Sequence, residues 1–425
     1  MCETAPATLP PELVTPVPGP RSRALAGRLG AVESRNVTCL EPPPIFWARA
    51  EGANVWDVDC NRYVDLGAGF GVAVAGHAHP RIVQAVTRQA GRLLHGMGDV
   101  HPPDVKVELL EALAARFPGG GPARAVLGSS GADAVETALK TAMLATGRAG
   151  VVAFEGGYHG LALGALDATA RPDFRAPFRA RLPHATQHAR FGELEDVRRA
   201  ARESELPVGA VLVEPLQGRG GERVAPAGFL AGLRRLCDEE GWLLIADEIY
   251  TGFGRTGRLF ACEHEEVVPD LLCVAKGLAS GMPISACVGR ASWMDAWPAS
   301  QGEALHTQTF LGHPPSCAAA LASMRVIDEE GLVEKAAKLG AEALELLRSA
   351  TAGSARVREC RGLGLMLGIE CDATETAQRA CARALSRGVI ALPSGDGRVI
   401  SVTPPLVIDA QALFQALGLL VEELR

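Results

Sequence analysis

Between residues 242 and 277 two short apolar runs each stop at an ionisable side chain. Trp242-Leu243-Leu244-Ile245-Ala246 runs directly into Asp247-Glu248, and Leu271-Leu272-Cys273-Val274-Ala275 into Lys276-Gly277. Each run has strand length and is apolar at every position. That is the pattern of a strand buried on both faces of a parallel sheet. Ligands of such sheets sit just beyond the carboxyl ends of the strands. Asp247 and Lys276 are therefore expected at one crevice.

An amine and a carboxylate in one crevice suit one chemistry well. A lysine amine can form a Schiff base with an aldehyde. A carboxylate can keep a pyridine nitrogen protonated, so that the ring absorbs electrons. Together they fit pyridoxal 5'-phosphate. The chain has only five lysines, at 106, 140, 276, 335 and 338, and only Lys276 follows a strand-like run and precedes glycine. The plain alternative is that strands end at the surface, where acids and lysines are common. A site requires further convergent groups.

The rest of the chain supplies candidates. A short strand, 123–127, leads into Gly128-Ser129-Ser130-Gly131-Ala132-Asp133 and a long amphipathic helix reaching about residue 146. Free N–H groups at such a helix start favour an anion, and a serine hydroxyl adds a donor. An ordinary helix cap reads the same way. The strand 150–154 leads into Glu155-Gly156-Gly157-Tyr158-His159-Gly160, where flanking glycines let the rings lie against a flat ligand. The strand 208–213 ends in Glu214, followed by the glycine-rich Gln217-Gly218-Arg219-Gly220-Gly221. Further helices are expected at 80–94, 103–117, 192–203, 228–240, 316–349 and 373–387, and strands around 362–370, 389–392 and 398–403. Residues 161–190 read as irregular. Residues 45–66 read as a hairpin with an Asp-rich turn. His77 and His79 lack acidic or cysteine partners at ligand spacing and read as structural.

Composition removes other function classes. Hydrophobic residues make up 48% and charged residues 21%, with a net charge of −7 and no basic block, so nucleic acid has no electrostatic footprint. No apolar stretch approaches the roughly 20 residues of a membrane helix. The 11 cysteines are irregularly spaced, without Cys-x-x-Cys, and no secretory signal precedes them. Reduced thiols and a cytoplasmic location are expected. The proline-rich first 20 residues are expected to be a flexible tail.

From about residue 45 to the C-terminus the chain resembles the class III aminotransferases, the fold-type I pyridoxal-phosphate enzymes. The ornithine, acetylornithine and 4-aminobutyrate aminotransferases are among them. The resemblance rests on Asp247-Glu248 with Gly252-Phe253-Gly254-Arg255-Thr256-Gly257, and on Ala275-Lys276-Gly277 followed by Gly281-Met282-Pro283. It implies an α/β fold, with a large, mostly parallel-sheet domain over 81–314. A smaller α+β domain would be made from 36–80 and 315–425, after a lead-in over 1–35.

The resemblance also implies roles. Lys276 would be the Schiff-base lysine and proton carrier, and Asp247 the partner of the pyridinium nitrogen. Ser130, Gly131 and Ala132 would hold the phosphate. Tyr158 and Ile249 would cover the two ring faces, with His159 beside the ring. Glu214 would hydrogen-bond in the polar shell around Asp247. Thr309 would complete the phosphate site of a neighbouring subunit, so a homodimer with shared sites is expected. The partners would be a small-molecule amino donor and a carbonyl acceptor.

The sequence departs from the family pattern in several places. Tyr250 stands where many members have a glutamine, Ser129 replaces an asparagine, Ala279-Ser280 replaces a glycine pair, and His313-Pro314-Pro315-Ser316 replaces Asn-Pro and its sequel. Two departures concern substrate. A glutamate after Gln-Gly and an arginine before Pro-Pro usually pair, the arginine binding a substrate carboxylate. Here the positions hold Arg219 and Ser401. Arg219 is thus expected either to bind an anionic substrate group itself, or to face solvent or pair with Glu222 while Arg398 or no arginine serves the substrate. An aminomutase, racemase or decarboxylase using Lys276 is the competing enzymatic reading. An interaction protein of the same fold would need neither Lys276 nor Asp247.

Overall fold

The computed structural model describes residues 4–424. Its centre is a seven-stranded sheet. In chain order the strands are β1 (Ala123–Gly128), β2 (Gly150–Phe154), β3 (Thr186–Ala189), β4 (Val208–Val213), β5 (Leu243–Asp247), β6 (Leu271–Val274) and β7 (Ser285–Arg290). Their spatial order is β1-β7-β6-β5-β4-β2-β3. Pairing is parallel except at β7, which runs antiparallel to both β6 and β1. Strands β2, β4, β5 and β6 are buried at every residue, as their unbroken apolar runs require. Register places Asp247 opposite Cys273, three residues before Lys276. The carboxyl ends of β5 and β6 therefore open at one level.

Both chain ends build the remaining sheets. Trp47–Glu51, Asn54–Asp57 and Arg62–Asp65 form an antiparallel meander. Its turn is organised by Asp57: Oδ1 accepts the backbone N–H groups of Asp59 and Asn61, while Oδ2 accepts from Asn61 Nδ2 and the Tyr63 hydroxyl. The fourth strand, Val389–Ile390, comes from the far end of the chain and pairs parallel with Arg62–Asp65. An antiparallel sheet of Val357–Leu363, Met366–Cys371, Val399–Val402 and Leu392–Ser394 brings Leu392, Pro393, Ser394 and Ser401 to the crevice.

Several expectations are corrected. The single helix at 316–349 is two, Pro314–Glu329 and Leu332–Thr351, because Gly331 adopts φ +60° and ends the first run. The strand around 362–370 is a hairpin, turned at Gly364 with φ +53°. A Cβ there would lie 2.4 Å from the Thr256 backbone. Residues 161–190 are not irregular throughout, since β3 and two short helices lie within them.

The first residues are not loose over 4–19. Leu9 N–H donates to Asn54 Oδ1, the N–H groups of Val14 and Thr15 donate to Asn61 Oδ1, and Glu12 bridges Arg62. Prolines suit such an extended strap because they need no ladder donor. His77 and His79 bond Asp65 and Glu330 at 2.8 and 3.1 Å.

Candidate active site

A cavity of 1180 Å³ opens at the carboxyl ends of the large sheet. Its wall includes Ser130, Gly131, Ala132, Tyr158, His159, Glu214, Arg219, Asp247, Ile249 and Lys276. Ten of the eleven residues singled out by sequence thus converge on one space. Thr309 is the exception. It sits exposed in the loop before Pro314 and does not line this cavity.

Lys276 leaves β6 in a short turn, with φ +21°, and its Nζ lies 4.5 Å above the centre of the Tyr250 ring. Burial lowers its pKa below the ordinary lysine value, while the carboxylates of Asp247 and Glu214 oppose the shift. An amine held this way is more often neutral, hence nucleophilic, near physiological pH. Asp247 ends β5 and is only 3% exposed. Its Oδ2 is 2.7 Å from His159 Nδ1, and its Oδ1 accepts the Ile249 N–H. Burial works against the His159 charge, yet the Asp247 hydrogen bond and charge raise its pKa above the usual value. Asp247 thereby holds the His159 ring toward its protonated form.

Glu214 is buried and points at backbone. Oε1 accepts the Tyr158 N–H at 2.8 Å and Oε2 the Gly218 N–H at 3.1 Å. It ties the β2 and β4 loops together, and no direct bond to Asp247 is formed. Burial pushes its pKa up to about 7, against the nearby His159.

The helix Gly131–Thr146 starts at the cavity. Ser130 caps it, its hydroxyl accepting the Asp133 N–H. Ser129 donates through N–H to Asp133 and through Oγ to Gln308, and Gln308 in turn bonds Asp133. Gly131 gives Ile249 its place: an added Cβ would come within 3.0 Å of that side chain.

For three groups named from the sequence, the surroundings could be settled only by the structure. Tyr250 is wedged between Gly71 and Gly218, where any Cβ would fall 2.1 and 2.2 Å from its ring, and its hydroxyl meets Thr403 Oγ1 at 3.1 Å. Only the two glycines signal that fit. Arg219 neither faces open solvent alone nor pairs with Glu222. Its guanidinium carbon is 5.1 Å from the Tyr158 ring centre and 6.0 Å from that of Phe174. Glu222 instead receives hydrogen bonds from Ser394 and Ser401, both at 2.6 Å. Arg398 is paired with Asp396.

The donor set fits pyridoxal phosphate. A lysine amine, a buried carboxylate at the end of the neighbouring strand, and the capped N-terminus of a long helix all line the one cavity. The buried His159 Nε2 has no hydrogen-bond partner among the described residues.

The comparisons agree with this geometry. Residues 37–424 match the model of the class-III aminotransferases. The chain is 41% identical over 382 residues to the acetylornithine aminotransferase of Methanopyrus kandleri, covering 90% of this chain and 95% of that protein. It is 39% identical over 440 residues to the 4-aminobutyrate aminotransferase of Mycobacterium tuberculosis, covering 96% of each. Among solved structures, an ornithine aminotransferase of Toxoplasma gondii superposes with a TM-score of 0.86 at 31% identity, covering 94% of this chain and 93% of that one. That structure is described with partial occupancy of PLP at its active site. With a lysine and an aspartate at neighbouring strand ends on one cavity, and a family match over nearly its whole length, the chain belongs to the class III aminotransferases, which use pyridoxal phosphate to move amino groups.

Proposed function

We propose that Lys276, Asp247 and the Ser130–Ala132 helix start form the working centre of this transaminase. In this reading an amino acid or ω-amine donor gives its amino group, and a keto acid or aldehyde receives it, in alternating half-reactions. The observation that carries it is the convergence of Lys276 and the Asp247–His159 pair on one cavity. The bound cofactor supplies an aldehyde for covalent attachment and a ring that absorbs an electron pair. Lys276 would be the residue that holds the cofactor covalently, and its amine is the group placed to accept and return a proton. Asp247 would pair with the ring nitrogen, and the hydrogen bond from His159 Nδ1 orients that carboxylate. The N–H groups of Gly131 and Ala132 and the Ser130 hydroxyl bind the phosphate at the positive end of the helix. Tyr158 and Ile249 cover the two faces of the ring. Glu214 fixes the Tyr158 and Gly218 backbones that frame it.

Arg219 is assigned to a substrate carboxylate. Its support is a guanidinium that lines the cavity, stacked on aromatic rings, with no carboxylate partner among the described residues. Purified protein loaded with cofactor should turn over only when a donor and a carbonyl acceptor are both added. Steady turnover of an amino acid alone would favour the mutase, racemase or decarboxylase reading. In the same assay Arg219→Ala should cost on the order of 1.5–3 kcal/mol in kcat/KM for carboxylate-bearing substrates, with uncharged amines spared. Equal effects on both classes would remove Arg219 from recognition.

A homodimer in the cytoplasm is part of the same reading. Thr309 and Phe310 are exposed beside the cavity-bearing face, where a second copy can receive Thr309 at its own phosphate site. All ten cysteines among the described residues are free. No described helix is long and apolar enough to cross a membrane. Sedimentation at assay concentration should give a dimer or a dimer of dimers. A fully active monomer would exclude the shared site.

A further inference from the structure

We propose that Glu222 is a specificity-determining residue, one that receives the distal ammonium group of a diamine-type amino donor. The inference rests on the transaminase reading of Lys276 given above. Glu222 is among the residues around the cavity but is itself fully buried, its carboxylate capped by the cavity-lining Ser394 and Ser401 hydroxyls, so a ligand group reaches it only where one of these hydroxyls turns aside. Its carboxylate has no basic partner among the described residues. Oε1 accepts from the Ser401 hydroxyl and Oε2 from the Ser394 hydroxyl. The guanidinium of Arg361 acts on it only from a distance, because its donors are spent elsewhere. They serve the Gly221 carbonyl at 3.0 and 2.7 Å, and Glu359 and Glu370 at 2.8 and 2.5 Å.

Two observations show that this carboxylate is held in place. Glu222 takes φ +47°, a backbone region that side chains other than glycine rarely occupy. Across from it Gly368 leaves the room: a Cβ there would lie 3.0 Å from that of Glu222. Ser401 also matters for what it lacks. Its short hydroxyl leaves Glu222 without the counter-ion that a long basic side chain at 401 would provide.

A buried carboxylate without a counter-ion is unfavourable unless something supplies one. Burial, helped by the nearby Glu214, pushes its pKa up to about 7, with the two serines and Arg361 opposing. Tyr250 also faces it, and brings no cation. Each carboxylate oxygen keeps lone-pair capacity beyond its one serine bond. An ammonium entering from the cavity would add charge-assisted hydrogen bonds there. A substrate carboxylate at the same place would meet like charge. The cavity thus offers Glu222 to a cationic tail and Arg219 to an anionic one, and a two-stroke transfer needs both substrates to use one space.

The test compares butane-1,4-diamine and pentane-1,5-diamine with ω-amino acids of the same chain lengths, all on cofactor-loaded enzyme with one fixed acceptor. The wild-type protein should favour the diamines in kcat/KM. Glu222→Gln should lower that value by about tenfold or more, the loss expected for a hydrogen bond to a charged group. The loss should fall in KM, with kcat and the cofactor spectrum kept, and the ω-amino acids should be unaffected or improved. In the wild type, KM for a diamine should rise as pH falls below about 7, as Glu222 takes up its proton, and the rise should vanish in Glu222→Gln. Glu222→Asp, which keeps the charge but draws it back by one methylene, should raise the diamine KM less than the glutamine change does and should keep its rise at low pH. It decides the matter if the glutamine variant does not fold. A wild-type preference for the ω-amino acids, or an unchanged diamine KM in these variants, would overturn the Glu222 assignment alone. If no donor of either class discharges the cofactor, the transaminase reading of Lys276 falls with it.

Discussion

Lys276→Ala should reduce turnover by at least roughly 10⁴-fold, since one amine serves both as covalent tether and as proton carrier. The visible absorbance that depends on the lysine link should disappear as well. The fold should survive. Lys276 is a base whose native pKa is lowered by burial. Below the ordinary lysine pKa the unfolded chain therefore binds the proton more readily than the native one. The native state is penalised there, and recovers as pH rises toward the unfolded value. Alanine removes that penalty, so the cofactor-free variant should unfold at no lower temperature than the cofactor-free parent at pH 7. Wild-type turnover in Lys276→Ala would refute the assignment. Loss of activity accompanied by a collapsed melting curve would show only that the fold was broken.

Asp247→Asn should keep cofactor attached through Lys276 but lower kcat by roughly 10²-fold or more, the scale for removing one aimed electrostatic group from a buried site. The amide is neutral and cannot hold a proton at the ring nitrogen. A second effect follows from the 2.7 Å contact with His159 Nδ1. The carboxylate is what raises the His159 pKa against its burial. With asparagine that support goes, and the ring should titrate lower, as a buried neutral imidazole. Histidine resonances followed by NMR across neutral pH would read this directly. An Asp247→Asn enzyme with full kcat would place the ring nitrogen elsewhere in the cavity.

Much of the centre was legible because strand chemistry is local. A run such as Leu243–Ala246 has to be buried on both faces, so the first residue that resists burial marks the strand end. Asp247 and Lys276 were found that way, and Ser130 by its capping position before an amphipathic helix. Other features depend on contacts distant in sequence. The strap at residues 4–19 is fixed by Asn54 and Asn61, side chains that carry no sign of it in their own neighbourhood. Strand β7, Ser-Ala-Cys-Val-Gly-Arg, is too mixed in polarity to stand out, and it is set by pairing with β6 and β1. The break at Gly331 was readable in principle, yet the apolar period runs across it. Glu222 was met only as a conceivable partner for Arg219. Its contact with Ser401 joins positions 179 apart in the chain.

The pairing of Val389 and Ile390 with Val64 and Asp65 also dictates an order of events during synthesis. The strand Arg62–Asp65 emerges first, whereas its parallel neighbour is made long after it, once the whole intervening sheet has been synthesised. Until then that edge of the meander has no partner, and unpaired strand edges invite association with other chains. The intervening sheet can complete all its pairings first, so it can already hold the two late segments within reach of each other. Closing so large a loop costs less once the chain between is compact. The meander thus acts as a latch, shut by a strand made long after it.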